Sequence, residues 1–380
     1  MKQLLGFFLV LGLSACSTLK YYKLRNKAEI NQENFTATTP IYFKYHTLSV
    51  DVVINGKTFR MILDTGAHST VISRKFANEL GLEVKTHMNV HDSRGQHNEL
   101  DVVVIDTLKI GGIPFTEVSA LVIDWTEGSA ISCVTPDGLI GNHVLNQCNW
   151  LMDFKNKTVT LSSNPIETGS LAFLDMKYGE AKPHIDIKVN GKEIKDILFD
   201  TGSGGGLDLI QKDGKELFGS LDSSKMIILD GSSEGLYGSK LDTVHVFVAD
   251  SITFGEQQIK GVAVDVEKNN GKIGHEYFWD GQIYLDYANK KIGLSRPTSE
   301  YITNANKRLP LITNRDSTGI FVSNIIIDSD PWNVGLRIGD RIKKAGWITS
   351  EESLQMTYCD YLAQRADSTS EYSERQLIPE

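Results

Sequence analysis

Short apolar runs broken by glycine-containing turns recur along most of this chain. Apolar and polar residues alternate within these runs with a period of two, which is typical of half-buried β-strands. The runs 50–54 and 59–63 are separated by Asn55-Gly56, and an Asn-Gly pair between two such runs is a strong signal for a β-hairpin. The pattern therefore predicts an all-β protein with many short strands and few helices.

The same hairpin pattern occurs a second time further along the chain. The runs 185–189 and 194–199 flank the pair Asn190-Gly191, and both copies of the pattern end in Asp-Thr-Gly. The second copy holds one extra residue between its turn and its aspartate, which a β-bulge would absorb. We therefore predict that the chain contains a duplicated unit.

Landmarks further downstream extend this duplication. A Gly-x-Ile-Gly stretch follows each Asp-Thr-Gly, at 138–141 in the first copy and at 271–274 in the second. Both copies then run to an Asp-aromatic pair and finish with an Asn-Lys turn and a short strand. We predict two β-rich lobes, at 42–163 and 183–296, joined by a connector at 164–182.

The N-terminal residues are typical of a bacterial export signal. A lysine precedes an apolar run, 4–13, that is too short to cross a bilayer as a helix. The run ends in Leu-Ser-Ala-Cys, which resembles the bacterial lipobox, so 1–16 is predicted to be a lipoprotein signal peptide with Cys16 lipidated. By resemblance to bacterial sorting signals, Ser17 favours an anchor at the periplasmic face of the outer membrane or at the cell surface. The alternative is an ordinary cleaved signal peptide in which Cys16 has no role.

The composition is that of an ordinary globular protein. Of the 380 residues, 41% are hydrophobic and 23% are charged, so the chain can bury a sizeable core. The formal net charge is −9 and no basic face stands out. Because phosphate binding needs positive charge, nucleic acid is excluded as the expected partner.

The two Asp-Thr-Gly motifs, 64–66 and 200–202, are the main candidates for chemistry. Two carboxylates that face each other at about 3 Å share one proton, so one accepts a proton from water while the other donates one. The glycine in each motif permits the tight turn that would bring the two loops together. Such a pair acts by general acid–base chemistry and needs neither a metal ion nor a cofactor.

These motifs resemble those of aspartic peptidases. Residues 62–72 look like the retropepsin pattern and 138–154 like the second signature of that family, whereas two lobes in one chain are similar to pepsins. The resemblance implies a two-lobed pepsin/retropepsin-like aspartic protease fold with a peptide or protein substrate extended between the lobes. It implies catalytic roles for Asp64 and Asp200. It also implies supporting roles beside and beneath them for Thr65, Gly66, Ala67, Thr201, Gly202, Ser203, Ile140, Gly141, Ile273 and Gly274.

Two features of the second lobe depart from the family pattern. Gly204–Gly206 replace a run that usually contains Ser or Thr, and Lys272 stands where the first lobe has Leu139. A second hypothesis therefore remains, a catalytically inactive lipoprotein that binds peptides or envelope proteins in the same cleft. Residues 17–41 are predicted to be a polar spacer, although a segment there could instead block the cleft until it is removed.

Flaps over the cleft are expected at the polar hairpin tips 92–95 and 230–233. Three histidines, His87, His91 and His97, lie close in sequence near the first tip. They lack helical metal-ligand spacing, so solvated flap residues are expected there and no metal site.

Three cysteines remain after Cys16. Cys133 and Cys148 lie close in sequence and could pair, which would leave Cys359 odd. The alternative is that these cysteines are buried free thiols.

The sequence after 296 no longer follows the repeat. Gly319–Val322, the Pro331 to Leu336 turn and Gly339–Ile342 resemble a bacterial PDZ domain. The resemblance implies a small PDZ-like domain at 297–366 that takes a C-terminal peptide ligand by strand addition. The remaining residues, 367–380, are expected to be a polar tail.

Overall fold

A computed structural model describes residues 17–44, 47–92, 95–125, 130–135, 137–179, 181–218, 226–268, 271–296, 309–368 and 377–379. Most of these residues lie in β-strands, and they form two related lobes followed by a C-terminal module. The predicted all-β aspartic protease fold is confirmed. The predicted signal peptide and lipobox cysteine, 1–16, lie outside the described residues. Across the described residues, every helix is too short or too polar to cross a membrane.

Lobe 1 is built from hairpins whose turns follow from their sequence. Asn55 and Gly56 both have positive φ, 50° and 76°, which is the conformation that an Asn-Gly turn between two strands requires. The elements of this lobe are α1 (17–25), β1 (Thr36–Lys44), β2 (Thr47–Ile54), β3 (Lys57–Leu63), β4 (Thr70–Ser73), α2 (Arg74–Glu79), β5 (Thr86–His91), β6 (His97–Ile110), β7 (Ile113–Ile123), α3 (Ala130–Val134), β8 (Gly138–Ile140), α4 (Asn142–Leu145), β9 (Asn149–Asp153) and β10 (Thr158–Ser162).

Lobe 2 repeats this plan. Its first turn, Asn190-Gly191, has φ values of 50° and 79°. The register of its first hairpin shifts between Ile185 and Ile187, so the β-bulge predicted from the extra residue is confirmed. The elements are β11 (Ala172–Asp175), β12 (Lys177–Gly179), β13 (Lys182–Val189), β14 (Lys192–Phe199), β15 (Leu207–Ile210), α5 (Gln211–Phe218), β16 (Met226–Gly235), β17 (Gly238–Ala249), β18 (Ile252–Phe254), β19 (Gln257–Ile259), β20 (Val262–Glu267), β21 (Lys272–Ile273), a 3-10 helix (Glu276–Phe278), β22 (Gln282–Asp286) and β23 (Lys291–Leu294).

A six-stranded antiparallel sheet joins the two lobes. Strand β9 of lobe 1 pairs with β22 of lobe 2, and the flanking order is β1-β10-β9-β22-β23-β11. Each lobe thus contributes three equivalent strands. The segment predicted as a connector, 164–182, contains β11 and β12, and the segment predicted as a spacer, 17–41, contains α1 and the start of β1.

Each lobe places its Asp-Thr-Gly loop in the same strand arrangement. In lobe 1, β8 pairs parallel with β3 and antiparallel with β4, which itself runs parallel to β7. In lobe 2, β21 pairs parallel with β14 and antiparallel with β15, which runs parallel to β20. The two candidate loops therefore occupy equivalent positions, between β3 and β4 and between β14 and β15.

The C-terminal module has its own hydrophobic core, formed by residues such as Ile320, Val322 and Tyr361. It is attached to both lobes. Its strand β25 pairs with β16 of lobe 2, and a disulfide joins Cys359 in its last helix to Cys133 in α3 of lobe 1. The elements are β24 (Leu311–Asp316), β25 (Gly319–Ile326), α6 (Asp330–Asn333), β26 (Arg341–Ala345), β27 (Ile348–Thr349), α7 (Ser350–Leu354), α8 (Tyr358–Ser368) and β28 (Leu377–Pro379).

The disulfide corrects the predicted Cys133–Cys148 pairing, and the alternative of buried free thiols holds for Cys148 but not for Cys133 and Cys359. Cys133 pairs with Cys359 across a sequence separation of 226 residues, whereas Cys148 is a buried free thiol in the core of the lobes. Proximity in sequence was therefore the wrong guide to this pairing.

Candidate functional site

The two aspartates that the sequence singled out lie at the ends of β3 and β14 and are held from below by their own lobes. The Asp64 backbone N–H donates to the Ile140 carbonyl at 3.0 Å, and the Asp200 N–H donates to the Ile273 carbonyl at 2.9 Å. The glycine after each isoleucine allows a very close approach. A Cβ on Gly141 would lie 2.3 Å from the Ser69 carbonyl carbon, so only glycine fits beneath the loop.

The structure brings the two loops face to face. A Cβ on Gly66 would lie 2.6 Å from the Asp200 carboxylate, and a Cβ on Gly202 would lie 2.5 Å from the Asp64 Cγ. Each motif glycine thus leaves the space that the opposite carboxylate occupies. The backbone also supports the carboxylates, because the Ala67 N–H donates to Asp64 Oδ1 and the Gly202 N–H to Asp200 Oδ1, both at 2.9 Å.

Two threonines cross-link the loops. Thr65 Oγ1 donates to the Phe199 carbonyl at 2.6 Å and accepts from the Thr201 N–H at 3.0 Å. Thr201 Oγ1 reciprocates, donating to the Leu63 carbonyl at 2.8 Å and accepting from the Thr65 N–H at 3.1 Å. Both threonines are essentially fully buried. These four bonds fix the separation of the two aspartate-bearing loops.

The two carboxylates differ in their electrostatic surroundings. Burial and the adjacent Asp200 raise the pKa of Asp64 well above its usual value. Burial also raises the pKa of Asp200, but there the positive charge of Lys272 acts in the opposite direction. This difference favours the shared proton on Asp64 and the negative charge on Asp200.

Lys272, which departs from the family pattern, is held in the interior of lobe 2. Its ammonium group pairs with Asp208 on the neighbouring strand, and the side chains of both residues are largely buried. Burial alone would lower the pKa of Lys272, but Asp208, Glu267 and Asp200 outweigh that effect and raise it. The lysine therefore remains charged and supplies a fixed positive field on the Asp200 side of the site.

Ala67 and Ser203 lie beside the carboxylates in different ways. Ala67 supplies the N–H described above, whereas the Ser203 hydroxyl accepts a 3.4 Å hydrogen bond from the Gly205 N–H. The Ser203 hydroxyl thus bonds within the glycine-rich loop of lobe 2, and the supporting role beside the carboxylates that the resemblance implies for Ser203 stays a prediction.

Two β-hairpins, one from each lobe, pack over the apolar cluster that adjoins the Asp64 loop. The first, β5–β6, turns at 92–96, where residues 93 and 94 lie outside the described part of the chain. The second, β16–β17, turns at Leu236-Tyr237 and not at the predicted tip, because 230–233 lie within β16, partly against β25. The glycines on both sides of Leu236-Tyr237 were the signal for this turn.

The two hairpin tips contact each other. The Tyr237 hydroxyl donates to the Val90 carbonyl at 3.1 Å, and its N–H donates to Asp92 Oδ2 at 3.3 Å. The tip of the second hairpin thus bridges to the first. The aromatic residue at the meeting point of the two tips is therefore Tyr237 of lobe 2.

The three histidines near the first hairpin do not converge on one point. His87 Nδ1 lies 2.9 Å from Asp101 Oδ1, whereas the rings of His91 and His97 stack against each other at 5.3 Å on paired strands. In the described residues, no group of three or more His, Cys, Asp or Glu side chains has the geometry to hold a metal ion.

Comparison with known proteins gives one match, and it covers part of lobe 1. No curated protein matches the chain. Residues 50–144, which run from β2 to α4 and include the first Asp-Thr-Gly and its Ile-Gly return, match the family model described as aspartyl protease. Lobe 1 is therefore similar to the aspartyl protease family.

Proposed function

We propose that the protein is an aspartic endopeptidase that hydrolyses peptide bonds with a water molecule activated between Asp64 and Asp200. The observation that carries this proposal is the reciprocal fit of the two loops. Each motif glycine leaves room for the opposite carboxylate, and four threonine hydrogen bonds hold that arrangement. A plain pair of surface turns needs neither feature.

The proposed roles follow from the asymmetry of the pair. Asp200 carries the negative charge and accepts a proton from the attacking water, while protonated Asp64 donates its proton to the carbonyl oxygen of the substrate. The water oxygen bonds to the carbonyl carbon. As the C–N bond breaks, the amine leaves with the proton held on Asp200, and Asp64 regains a proton from a hydroxyl of the intermediate. Both carboxylates then return to their starting state.

Cleavage of a mixed peptide library by the full chain tests this proposal. Asp64→Asn and Asp200→Asn should each lower kcat/KM by at least about 10²-fold, because each removes one partner of the acid–base pair. Asp196→Asn is the matched control. It lies four residues before Asp200, is exposed, and has a φ of 57° that asparagine tolerates, so its activity should equal that of wild type.

The pH profile gives an independent check. Cleavage needs one proton on the pair, so activity should fall on the acid side when both carboxylates are protonated and on the alkaline side when both are ionised. A profile that rises monotonically to alkaline pH would contradict the shared-proton mechanism. Absence of cleavage at every pH would favour the inactive peptide-binding lipoprotein instead.

The C-terminal module was expected to bind a peptide as a PDZ-like domain, and the site for added strand pairing would be the edge of β24 beside α8. Side chains of α8 already contact that edge. The Arg365 guanidinium donates to the Thr313 carbonyl at 2.8 Å, and the Tyr361 hydroxyl lies 3.3 Å from the Thr313 hydroxyl. We infer that the module acts first as a brace between the lobes, and that a peptide ligand would have to displace Arg365.

We also propose that the protein is exported and anchored by lipid on Cys16. The support is the lipobox-like sequence together with the Cys133–Cys359 disulfide, which suits an oxidising compartment. Metabolic labelling with radioactive palmitate in a bacterial host tests the anchor. Wild type should incorporate label and remain with membranes, whereas Cys16→Ser should not incorporate label.

A further inference from the structure

The N-terminal helix α1 packs one face against the lobes. Tyr21 is only 4% exposed, whereas its neighbour Tyr22 is 43% exposed. Leu24, three positions after Tyr21, packs partly buried against the same hydrophobic cluster. This spacing places Tyr21 and Leu24 on one side of the helix, so the helix is oriented with the Tyr21 ring directed into the protein.

The space that holds Tyr21 adjoins the candidate dyad. Its hydroxyl hydrogen-bonds the Ser69 hydroxyl, five residues after Asp64 in the same loop. The apolar cluster around the ring includes Val71 from β4 and Leu139 from β8, with Ala67 packed against it. Ala67 is the residue whose N–H supports the Asp64 carboxylate. The ring therefore lies beside the loop that carries Asp64.

Both covering hairpins close over the same cluster. Met88 and Val90 from the first hairpin, and Leu236 and Tyr237 from the second, pack against it. The Tyr21 ring thus shares one apolar cluster with Ala67 of the Asp64 loop and with residues of both hairpins. A space bounded in this way is where a side chain of an extended substrate would lie.

The chain that follows α1 is fixed along lobe 1. Ala28 is buried in the main core, and Glu29 exchanges two backbone hydrogen bonds with Thr116, at 2.9 and 3.2 Å. Phe35 is buried as well, and its N–H donates to Ser163 Oγ at 3.1 Å. These contacts tether α1 to lobe 1 by a short segment, so the effective concentration of Tyr21 beside the Asp64 loop is high.

We propose that Tyr21 occupies a substrate side-chain pocket of the cleft, that α1 thereby competes with substrate, and that Ser69 makes this pocket selective for tyrosine. The proposal rests on the proposed peptidase function. Selectivity follows because Ser69 is 3% exposed and its hydroxyl loses its partner when phenylalanine replaces tyrosine. A hydroxyl left unpaired in a buried site weakens binding, here by roughly tenfold.

Binding of a fluorescein-labelled peptide with the sequence of residues 17–33 tests the pocket without requiring catalysis. In the full chain, wild type should bind this probe weakly because α1 fills the pocket, and Tyr21→Ala should bind it at least tenfold more tightly. Tyr22→Ala is the matched control on the exposed face and should behave as wild type. Equal probe affinity for wild type and Tyr21→Ala would overturn the proposal.

The selectivity is tested by changing the probe. A probe with phenylalanine at the position of Tyr21 should bind the Tyr21→Ala chain roughly tenfold more weakly than the tyrosine probe. Adding Ser69→Ala to that chain should remove the difference between the two probes. A difference that persists in the Ser69→Ala chain would refute the assignment of selectivity to Ser69.

Peptide cleavage separates this inference from the proposed function. If Tyr21→Ala gains probe binding but no variant cleaves any peptide, the pocket stands and the peptidase proposal fails. If wild type cleaves peptides and Tyr21→Ala changes neither kcat/KM nor probe binding, the peptidase stands and the competition by α1 is refuted. Thermal melting of Tyr21→Ala and of Tyr21→Phe confirms that the compared chains are folded, and Tyr21→Phe should show a smaller gain in probe binding.

Discussion

Replacement of Thr201 by valine isolates the contribution of the threonine cross-link. Valine has nearly the same shape as threonine, so the substitution removes the hydroxyl and keeps the volume. The main bonds lost are the one that Thr201 Oγ1 donates to the Leu63 carbonyl and the one that it accepts from the Thr65 N–H, together with a longer 3.4 Å contact to Thr65 Oγ1. The bond from the Thr201 N–H to Thr65 Oγ1 remains available.

The magnitude follows from what the lost hydroxyl leaves behind. Thr65 and Thr201 are 0% and 1% exposed, so water cannot replace the missing partner. A buried polar group without a partner costs about 1–3 kcal/mol, and one N–H and one carbonyl are left in this state. We therefore expect Thr201→Val to lower the free energy of unfolding by about 2–6 kcal/mol.

Urea titration followed by tryptophan fluorescence measures this change as a shift in midpoint at constant slope. Thr160→Val is the matched control, because its hydroxyl pairs with Thr38 at 2.8 Å on the surface of the lobe-joining sheet. The control should cost less than about 0.5 kcal/mol. If both valine variants lower stability equally, the buried cross-link contributes no more than a surface hydroxyl pair and the reasoning is wrong.

Gly202→Ala should lower the free energy of unfolding by about 1–3 kcal/mol and abolish cleavage, because its Cβ would meet the Asp64 carboxylate. Thermal melting measures the loss of stability, and a peptide assay measures the loss of cleavage. Asp64→Asn should flatten the pH dependence of stability. Because the pKa of Asp64 is raised, the folded wild type holds a proton that the unfolded chain releases. The free energy of unfolding of wild type therefore falls as the pH rises from the usual carboxyl pKa to the raised one, by up to about 1.4 kcal/mol per pH unit. Cys359→Ser should lower the free energy of unfolding by about 5 kcal/mol, measured by urea titration without reductant.

Each of these has a matched control. Gly205→Ala places its Cβ 3.6 Å from the nearest atom and should leave stability within about 0.5 kcal/mol of wild type. Asp196→Asn should keep the wild-type pH slope. Cys148→Ala should remain sensitive to reductant, whereas Cys359→Ser should not be. A Cys359→Ser chain that reductant still destabilises would contradict the observed pairing.

The duplicated lobes could be read from the sequence because their signals are local. The alternation of apolar residues fixes strand faces, and Asn-Gly turns fix hairpins within a few residues. Two copies of one local pattern, each ending in Asp-Thr-Gly, then require equivalent positions for Asp64 and Asp200. The bulge near Ile185 followed from a single extra residue in the same way.

Other features depend on contacts that no local pattern specifies. The sequence around Tyr21 is mostly polar, and only its position against Ser69 explains why this ring is buried. The sequence does not predict the tip at Leu236-Tyr237, because the polar residues at 230–233 have a stronger turn signal than these apolar ones. Strand β16 extends through that polar stretch because β25 of the C-terminal module pairs with it, a contact made by residues almost a hundred positions later.

The bond between Cys133 and Cys359 closes a covalent ring that contains all of lobe 2. A single proteolytic cut anywhere within that ring separates no part of the protein, because both ends of the cut remain joined through the two sulfurs. Nicked protein should therefore migrate as one species on a denaturing gel without reductant and as two fragments with it. Because Cys133 precedes lobe 2 and Cys359 follows it, the ring closes only after all of lobe 2 has been synthesised.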